Sequence, residues 1–379
     1  MTSLAFPKVG APEVSVLMVT YGGWSFVRDS LRALLEGTDP IYELIVVDNA
    51  SPDGTAERLR DEVEGARLFF NAENLGFGRA ANQAAALARA PALVFLNSDA
   101  SVHPGWLAPM VESLRVRPRV GAVAPCVLNP GGSLQEAGGL VFRDGSTTLY
   151  GNAEDPRLPQ FRFPRSVDYA SAVCLMVRRR AFEEEGGFDP LFAPAYYEDA
   201  DLCFRLRRRG LRTLYEPRAA VTHLMGGSSR HETAVTLTAR NRTRFETRWR
   251  DELASRPERG GETPDPVALI RARDALASPR FLLLSPDSGV ARQLAARYPE
   301  ARVSVLMTHI DTPQLYSLLA AGIEVVSTED ESRWLESRPF HYDVVSGETI
   351  EALKVILRHS QPQAQCLHSL SHLGIGPRT

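Results

Sequence analysis

Three carboxylates fall within four positions at Glu198-Asp199-Ala200-Asp201. Crowded or buried acids raise one another's pKa, which suits one of them to act as a general base. The run also reads as an acidic first helical turn, favoured by the helix dipole. Asp99 closes Leu96-Asn97-Ser98-Asp99, directly after an apolar run. A carboxylate in that place can hold Mg²⁺ or Mn²⁺ against a diphosphate, and it equally suits a turn. Asp48, in Asp48-Asn49-Ala50-Ser51-Pro52-Asp53-Gly54, offers acceptors to a ribose or a base, within a segment rich in turn formers. Asn74-Leu75-Gly76-Phe77-Gly78-Arg79 precedes an alanine-rich stretch. Glycines before a helix let backbone amides approach a phosphate, or simply let the chain turn into the helix. His223 is a candidate metal ligand or a hydrogen-bonded core histidine.

These residues need elements to position them. Val14–Thr20, Leu44–Val47, Arg67–Phe70 and Leu93–Leu96 read as strands. Trp24–Glu36 carries apolar residues at helical spacing, and Phe77–Ala90 is rich in alanine, the best helix former. Alternating strands and helices imply βαβ units and a mostly parallel sheet. Ligands bind beyond the carboxyl ends of such strands. Thr20-Tyr21, Asp48-Asn49 and Asn97-Ser98-Asp99 all follow strands, so three polar clusters converge on one edge. Residues 121–227 are less regular, as antiparallel strands and long loops are. Glu198–Arg209 and Arg230–Arg250 read as helices.

Composition excludes several classes. The chain has 379 residues, 44% hydrophobic and 23% charged, with a net charge of −3. That is globular, not disordered or collagenous, and its length suggests two domains. Nothing in the charge balance points to nucleic acid. All but two of the 43 basic residues are arginine, the exceptions being Lys8 and Lys354. Cys126, Cys174, Cys203 and Cys366 form no Cys-x-x-Cys pair, which argues against a zinc site or a disulfide framework. The first thirteen residues lack an apolar signal core, and no apolar run reaches the ~20 residues that span a bilayer. The expected compartment is the cytoplasm.

Taken together and in this order, the motifs resemble the family 2 glycosyltransferases, which have the GT-A fold. The resemblance rests on Val14–Tyr21, Val47–Ser51, Asn74–Asn82, Leu96–Asp99, Gly186-Gly187-Phe188-Asp189, Tyr197–Cys203 and His223. It covers residues 13–229 and is nearest to the rhamnosyltransferase-like branch of bacterial polysaccharide assembly. It implies that Thr20, Tyr21 and Asp48 hold the base and ribose of a nucleotide-sugar. Asn74, Gly76 and Arg79 would line the donor side, with Asn97 beside them. Asp99 would bind a divalent cation, Mn²⁺ or Mg²⁺, with His223 as a further ligand. Asp199 would be the catalytic base, with Glu198 and Asp201 orienting it or the acceptor. Two positions depart from the family pattern. Asn97 stands where stricter members have a first Asp, and Ala172 where many have glycine.

The implied reaction is inverting transfer of a sugar, rhamnose being one candidate, from a nucleoside-diphosphate sugar. The acceptor would be a hydroxyl of a glycan or a polyprenyl-linked carrier. Arginines between 205 and 250 could face an anionic membrane, giving peripheral contact at its inner face. An inactive nucleotide-sugar-binding protein is the main alternative. A nicotinamide dehydrogenase is disfavoured, because Tyr21-Gly22-Gly23-Trp24 lacks the Gly-x-Gly-x-x-Gly spacing. A nucleotidyltransferase on a related sheet is a third reading. The expected division is a GT-A domain over 1–250, a linker over 251–279, and a small Rossmann-like α/β unit over 280–379. That unit faintly resembles half of a GT-B glycosyltransferase.

Overall fold

A computed structural model describes residues 3–37, 41–224, 231–261, 263–328, 330–336, 338–339, 341–361, 363–367, 370 and 373. The chain divides into two compact units: Met1–Pro156 with Val167–Ser255, and Arg157–Ser166 with Arg256–Thr379.

In the first unit one mixed sheet contains β1 (Val14–Thr20), β2 (Tyr42–Asp48), β3 (Arg67–Phe70), β4 (Ala92–Asn97), β5 (Ala100–Val102), β6 (Val120–Leu128), β7 (Leu134–Glu136), β8 (Cys174–Arg178) and β9 (Arg212–His223). Across it lie β9-β6-β8-β4-β1-β2-β3, with β5 paired to β9 and β7 to β6. The β4-β1-β2-β3 half is parallel. β8 runs antiparallel to β4 and β6. The parallel strands read as continuous apolar runs because both of their faces are buried. Val16, Met18, Leu44, Val46, Val94 and Leu96 form one layer with α1 (Trp24–Glu36). Leu17, Ile45, Val47, Leu93 and Phe95 form the other with α2 (Phe77–Leu87). α2 presents Ala80, Ala81, Ala84 and Ala85 to the sheet, and these small side chains allow close approach.

Three expected helices differ at their ends. α2 stops at Leu87 rather than Ala90, and Ala88 is extended. Pro91 lies just beyond, and the Arg89 amide donates to Glu43 Oε1 at 2.7 Å instead of continuing the helix. After α3 (Glu198–Arg208), the arginine-studded helix α4 spans His231–Arg248. Its guanidiniums are committed to protein groups. Arg240 and Arg244 donate to the carbonyls of Ala193 and Leu191, Arg242 pairs with Asp144, and Arg248 bridges Asp189 and Asp201. They staple the helix to the unit. Gly226-Gly227-Ser228-Ser229, which follow His223 in sequence, lie outside the described residues.

Among the described residues the second unit has five parallel strands, β10 (Arg280–Leu284), β11 (Arg302–Met307), β12 (Glu324–Ser327), β13 (Val344–Gly347) and β14 (Gln365–Leu367). Their order is β12-β11-β10-β13-β14, a doubly wound Rossmann-like arrangement. Phe163, from the 157–166 segment, is fully buried in this unit's core with Phe281, Leu294 and Val305.

Candidate active site

Strand register brings the first polar clusters together. Thr20 pairs with Asp48 across β1 and β2, and Val19 with Asn97 across β1 and β4. Thr20 and Asp48 are both buried, and the Thr20 hydroxyl donates to Asp48 Oδ2 at 2.9 Å. Asp48 also accepts from the Ser51 amide at 3.1 Å and from the Ser51 hydroxyl. Ser51 Oγ in turn accepts from the Gly22 amide at 2.7 Å. Thr20 and Asp48 are therefore tied into the loop around the edge. On this part of the edge Tyr21 is 41% exposed, and Asn74 and Arg79 are exposed.

Asn49 organises the neighbouring loop, and sequence reasoning gave it no role. Its Nδ2 donates to Asn74 Oδ1 at 2.8 Å. Its Oδ1 accepts from Asn71 Nδ2 at 3.0 Å and from the Leu75 amide at 3.1 Å. Gly76 is required where it stands. Its φ is 80°, and a Cβ there would lie 2.8 Å from Pro194 Cα and backbone O.

Asp99 sits in the tight turn between β4 and β5, so it neither caps nor begins a helix. His223 ends β9, whose pairing with β5 sets Ala100 opposite His223. The result is a contact of 3.2 Å between His223 Nε2 and Asp99 Oδ1. His223 Nδ1 lies 2.8 Å from Gln135 Oε1 on β7. Among the described residues no group of three or more His, Cys, Asp or Glu is placed to hold a metal ion. A two-ligand pair nevertheless fits Mg²⁺ or Mn²⁺ beside a diphosphate, since such ions take the rest of their oxygens from phosphate and water. Asn97 contributes its backbone to the sheet, its amide donating to the Val173 carbonyl at 2.9 Å.

The acid cluster forms on a strained turn. Tyr196 and Tyr197 have φ of 76° and 73°, a conformation non-glycine residues seldom adopt, just before α3. Asp199 keeps partial exposure. Its carboxylate accepts from the Ala172 amide at 3.1 Å and the Ala200 amide at 2.7 Å. Burial raises its pKa above the ordinary carboxylate range. Glu198 is buried, its Oε2 has no hydrogen-bond partner, and burial, with the Asp199 charge next, holds its pKa well above the usual value. Burial thus favours its protonated form. Asp201 does not join these two. It is fully buried and paired with Arg205 at 2.7 Å, Arg248 at 2.9 Å and Trp249 Nε1 at 3.0 Å. Its role is to fasten α3 to α4.

Glu136, on β7, was not singled out in the sequence. It accepts from the Ser171 amide at 3.1 Å and the Ser171 hydroxyl at 2.6 Å. The next amide, that of Ala172, holds Asp199. Burial pushes Glu136 up to about 7, with the Asp199 charge adding to the rise and His223 opposing it. A lone Glu in an irregular stretch carries no local signal, so only the fold reveals it.

Comparison with known proteins bears on the family and the fold. Residues 15–186 match the family described as Glycosyl transferase family 2. The N-acetylglucosaminyl-diphospho-decaprenol L-rhamnosyltransferase of Mycobacterium tuberculosis is 28% identical over 252 residues, 61% of this chain and 82% of that protein. An uncharacterised protein, y4gI, of Sinorhizobium fredii is 28% identical over 291 residues, 73% of this chain but 32% of that one. A crystal structure of GalNAc-T7 with UDP, GalNAc and Mn²⁺ superposes with a TM-score of 0.51 at 20% identity, covering 65% of this chain and 49% of its own. That likeness establishes the shared fold, GT-A.

Proposed function

We propose, from the premise that residues 15–186 are a glycosyl transferase family 2 domain, that the first unit catalyses inverting transfer from a nucleoside-diphosphate sugar to an acceptor hydroxyl. The observation that carries this reading is Asp199. It is a partly exposed carboxylate pinned by two amides, with its proton affinity raised, in the same site as the Asp99–His223 pair.

Asp199 takes the proton of the acceptor hydroxyl. The acceptor oxygen forms its bond to the anomeric carbon as the bond from that carbon to the diphosphate oxygen breaks. The nucleoside diphosphate departs with that electron pair, and attack from the opposite face inverts the carbon. Burial and the Asp199 charge both favour the protonated form of Glu198, which limits negative charge beside the base. Asp99 and His223 would hold a divalent cation, whose chemistry there is to offset charge on the leaving diphosphate. Tyr21 offers a ring face to the base, and Arg79 a cation to the donor. The rhamnosyltransferase relative supports rhamnose as the sugar and a polyprenyl-linked glycan as the acceptor. The arginines of α4 do not support a membrane-facing surface, because protein groups already engage Arg240, Arg242, Arg244 and Arg248. Among the described residues no helix is long and apolar enough to cross a membrane.

The test is a panel of nucleotide-sugars assayed by mass spectrometry, with Mn²⁺, with Mg²⁺ and with chelator, on wild type and Asp99→Ala. Metal-dependent release of one nucleoside diphosphate, lost in the variant, is expected. Donor binding without turnover, even with polyprenyl-linked glycans supplied, would overturn the enzymatic reading. Retention at the anomeric carbon of the product, read by NMR, would overturn the single-base mechanism.

A further inference from the structure

We propose that Gln135 is a positioning residue that fixes the tautomer of His223, and so selects Nε2 as the atom His223 offers to a cation beside Asp99. The inference rests on reading Asp99 and His223 as the cation side of the site.

The backbone carbonyl of Leu134 accepts from Asn129 Nδ2 at 3.0 Å, and Nδ2 also reaches Ser133 Oγ at 3.0 Å. A carbonyl has no proton to give, so the Asn129 amide can sit only one way round. Its Oδ1 then faces Gln135 and accepts from Gln135 Nε2 at 3.2 Å. That orients the second amide in turn and leaves Gln135 Oε1 facing His223 Nδ1 at 2.8 Å. Oε1 can only accept, so Nδ1 carries hydrogen. In the neutral ring Nε2 is therefore a bare lone pair, 3.2 Å from Asp99 Oδ1. Two lone-pair groups facing each other at that distance repel unless a proton or a metal cation lies between them, so above the pH at which the ring is protonated the position suits a metal ion.

The relay is built, not incidental. Gln135 is 2% exposed. Its strand, β7, is short and antiparallel to β6, and the turn that carries Asn129 closes on it through the Asn129 amide and the Ser133 carbonyl at 2.8 Å. The hydrogen bond that one imidazole nitrogen makes decides which nitrogen is free to ligate. Partners of this kind outside the ligand set typically change metal affinity 10- to 100-fold when removed.

The test reads the tautomer directly, in metal-free protein, by long-range ¹H–¹⁵N correlation of His223 near pH 8.5, alongside Mn²⁺ titration by electron paramagnetic resonance. Wild type is expected to hold hydrogen on Nδ1. Gln135→Leu removes the acceptor at similar volume, and His223 should lose the fixed Nδ1–H form while Mn²⁺ affinity falls roughly 10- to 100-fold. Gln135→Glu keeps an acceptor oxygen and should restore the Nδ1–H form, which a role in packing alone would not predict. Hydrogen on Nε2 in wild type overturns the proposal. So does Gln135→Leu with an unchanged tautomer, or with Mn²⁺ affinity within threefold of wild type. Wild type that holds the Nδ1–H form yet binds no Mn²⁺, with or without a nucleoside diphosphate, overturns the cation reading of the site and with it the proposal's ligand. That result is distinct from Mn²⁺ binding equally well to wild type and Gln135→Leu, which removes Gln135 alone.

Discussion

Each unit buries a cluster of charged groups, and the two clusters are balanced in opposite ways. In the second unit, Asp274 and Glu324 are fully buried among Arg273, Arg302 and His341. Arg273 reaches Glu324 at 2.6 Å and Asp274 at 2.5 Å, Arg302 reaches Asp274 at 2.9 Å, and Ser304 donates to Glu324 at 2.8 Å. Burial alone would raise both acids. The neighbouring guanidiniums win, holding Glu324 below and Asp274 well below the carboxylate range. In the first unit, no arginine among the described residues offsets the burial of Glu136, Glu198 and Asp199, and all three are raised. Position in the sheet differs too. Arg302 and Glu324 begin β11 and β12, at the amino edge, whereas the first unit's acids accompany the carboxyl edge of its sheet. Compensated charge at the amino edge holds a fold together. Uncompensated acid at the carboxyl edge stabilises nothing by itself and is available for proton transfer.

The largest test of that contrast is Asp199→Asn. Transfer should fall about 10²- to 10⁴-fold, the typical worth of a general base, while donor affinity measured by calorimetry stays within a few fold. Equal losses in turnover and donor binding would mean that Asp199 holds the donor instead.

Next is Asp274→Ala, which leaves Arg273 and Arg302 without their shared partner. Removing one member of a buried ionic network costs roughly 3–5 kcal/mol, which denaturant unfolding of the intact chain should register in the second unit. Donor hydrolysis at low temperature should be unaffected. The sign with pH follows from the lowered acids. Their stabilisation is present above the unfolded carboxylate pKa, near 4, and is lost as acid protonates them. A stability difference between wild type and variant that stays the same from neutral pH down into acid would remove the contrast.

Glu136 should show the opposite slope. Its folded pKa is raised from 4.5 to about 7, so the folded state holds a proton that the unfolded state releases. Stability of the first unit should therefore fall as pH rises through that window, by up to about 3 kcal/mol, and level off above it. Glu136→Gln should flatten the slope and be the more stable protein at pH 8. A variant less stable than wild type at pH 8 would falsify the assignment of an uncompensated acid.

The smallest expected effect is at Tyr21→Ala. Loss of a stacking surface for a base is worth about 1–2 kcal/mol, so donor affinity should fall roughly tenfold with little change in turnover of bound donor. An unchanged dissociation constant would place the base elsewhere on the edge.

Much of this was legible in the residues. Apolar strand runs that ended in polar clusters were enough to place Thr20, Asp48 and Asn97 on one edge, because parallel strands in register end together. The acidic run marked the right turn of chain but not the division of labour within it. Asp199 and Glu198 face burial without a cation, whereas Asp201, two residues on, meets Arg205, Arg248 and Trp249. Gln135 and Glu136 were invisible because nothing local distinguishes them. They matter through His223 and Ser171, 88 and 35 residues away in sequence.

The residues alone were enough for the alternation of strands and helices, the edge on which the polar clusters meet, and the family the motifs resemble. Those follow from hydrophobic period, turn chemistry and spacing, which are local. Tertiary structure alone decided which acids remain uncompensated, which hydroxyls are occupied by their neighbours, and which nitrogen of His223 is free. Protonation and hydrogen-bond direction depend on what packs within a few ångströms, and the chain brings those partners from far apart.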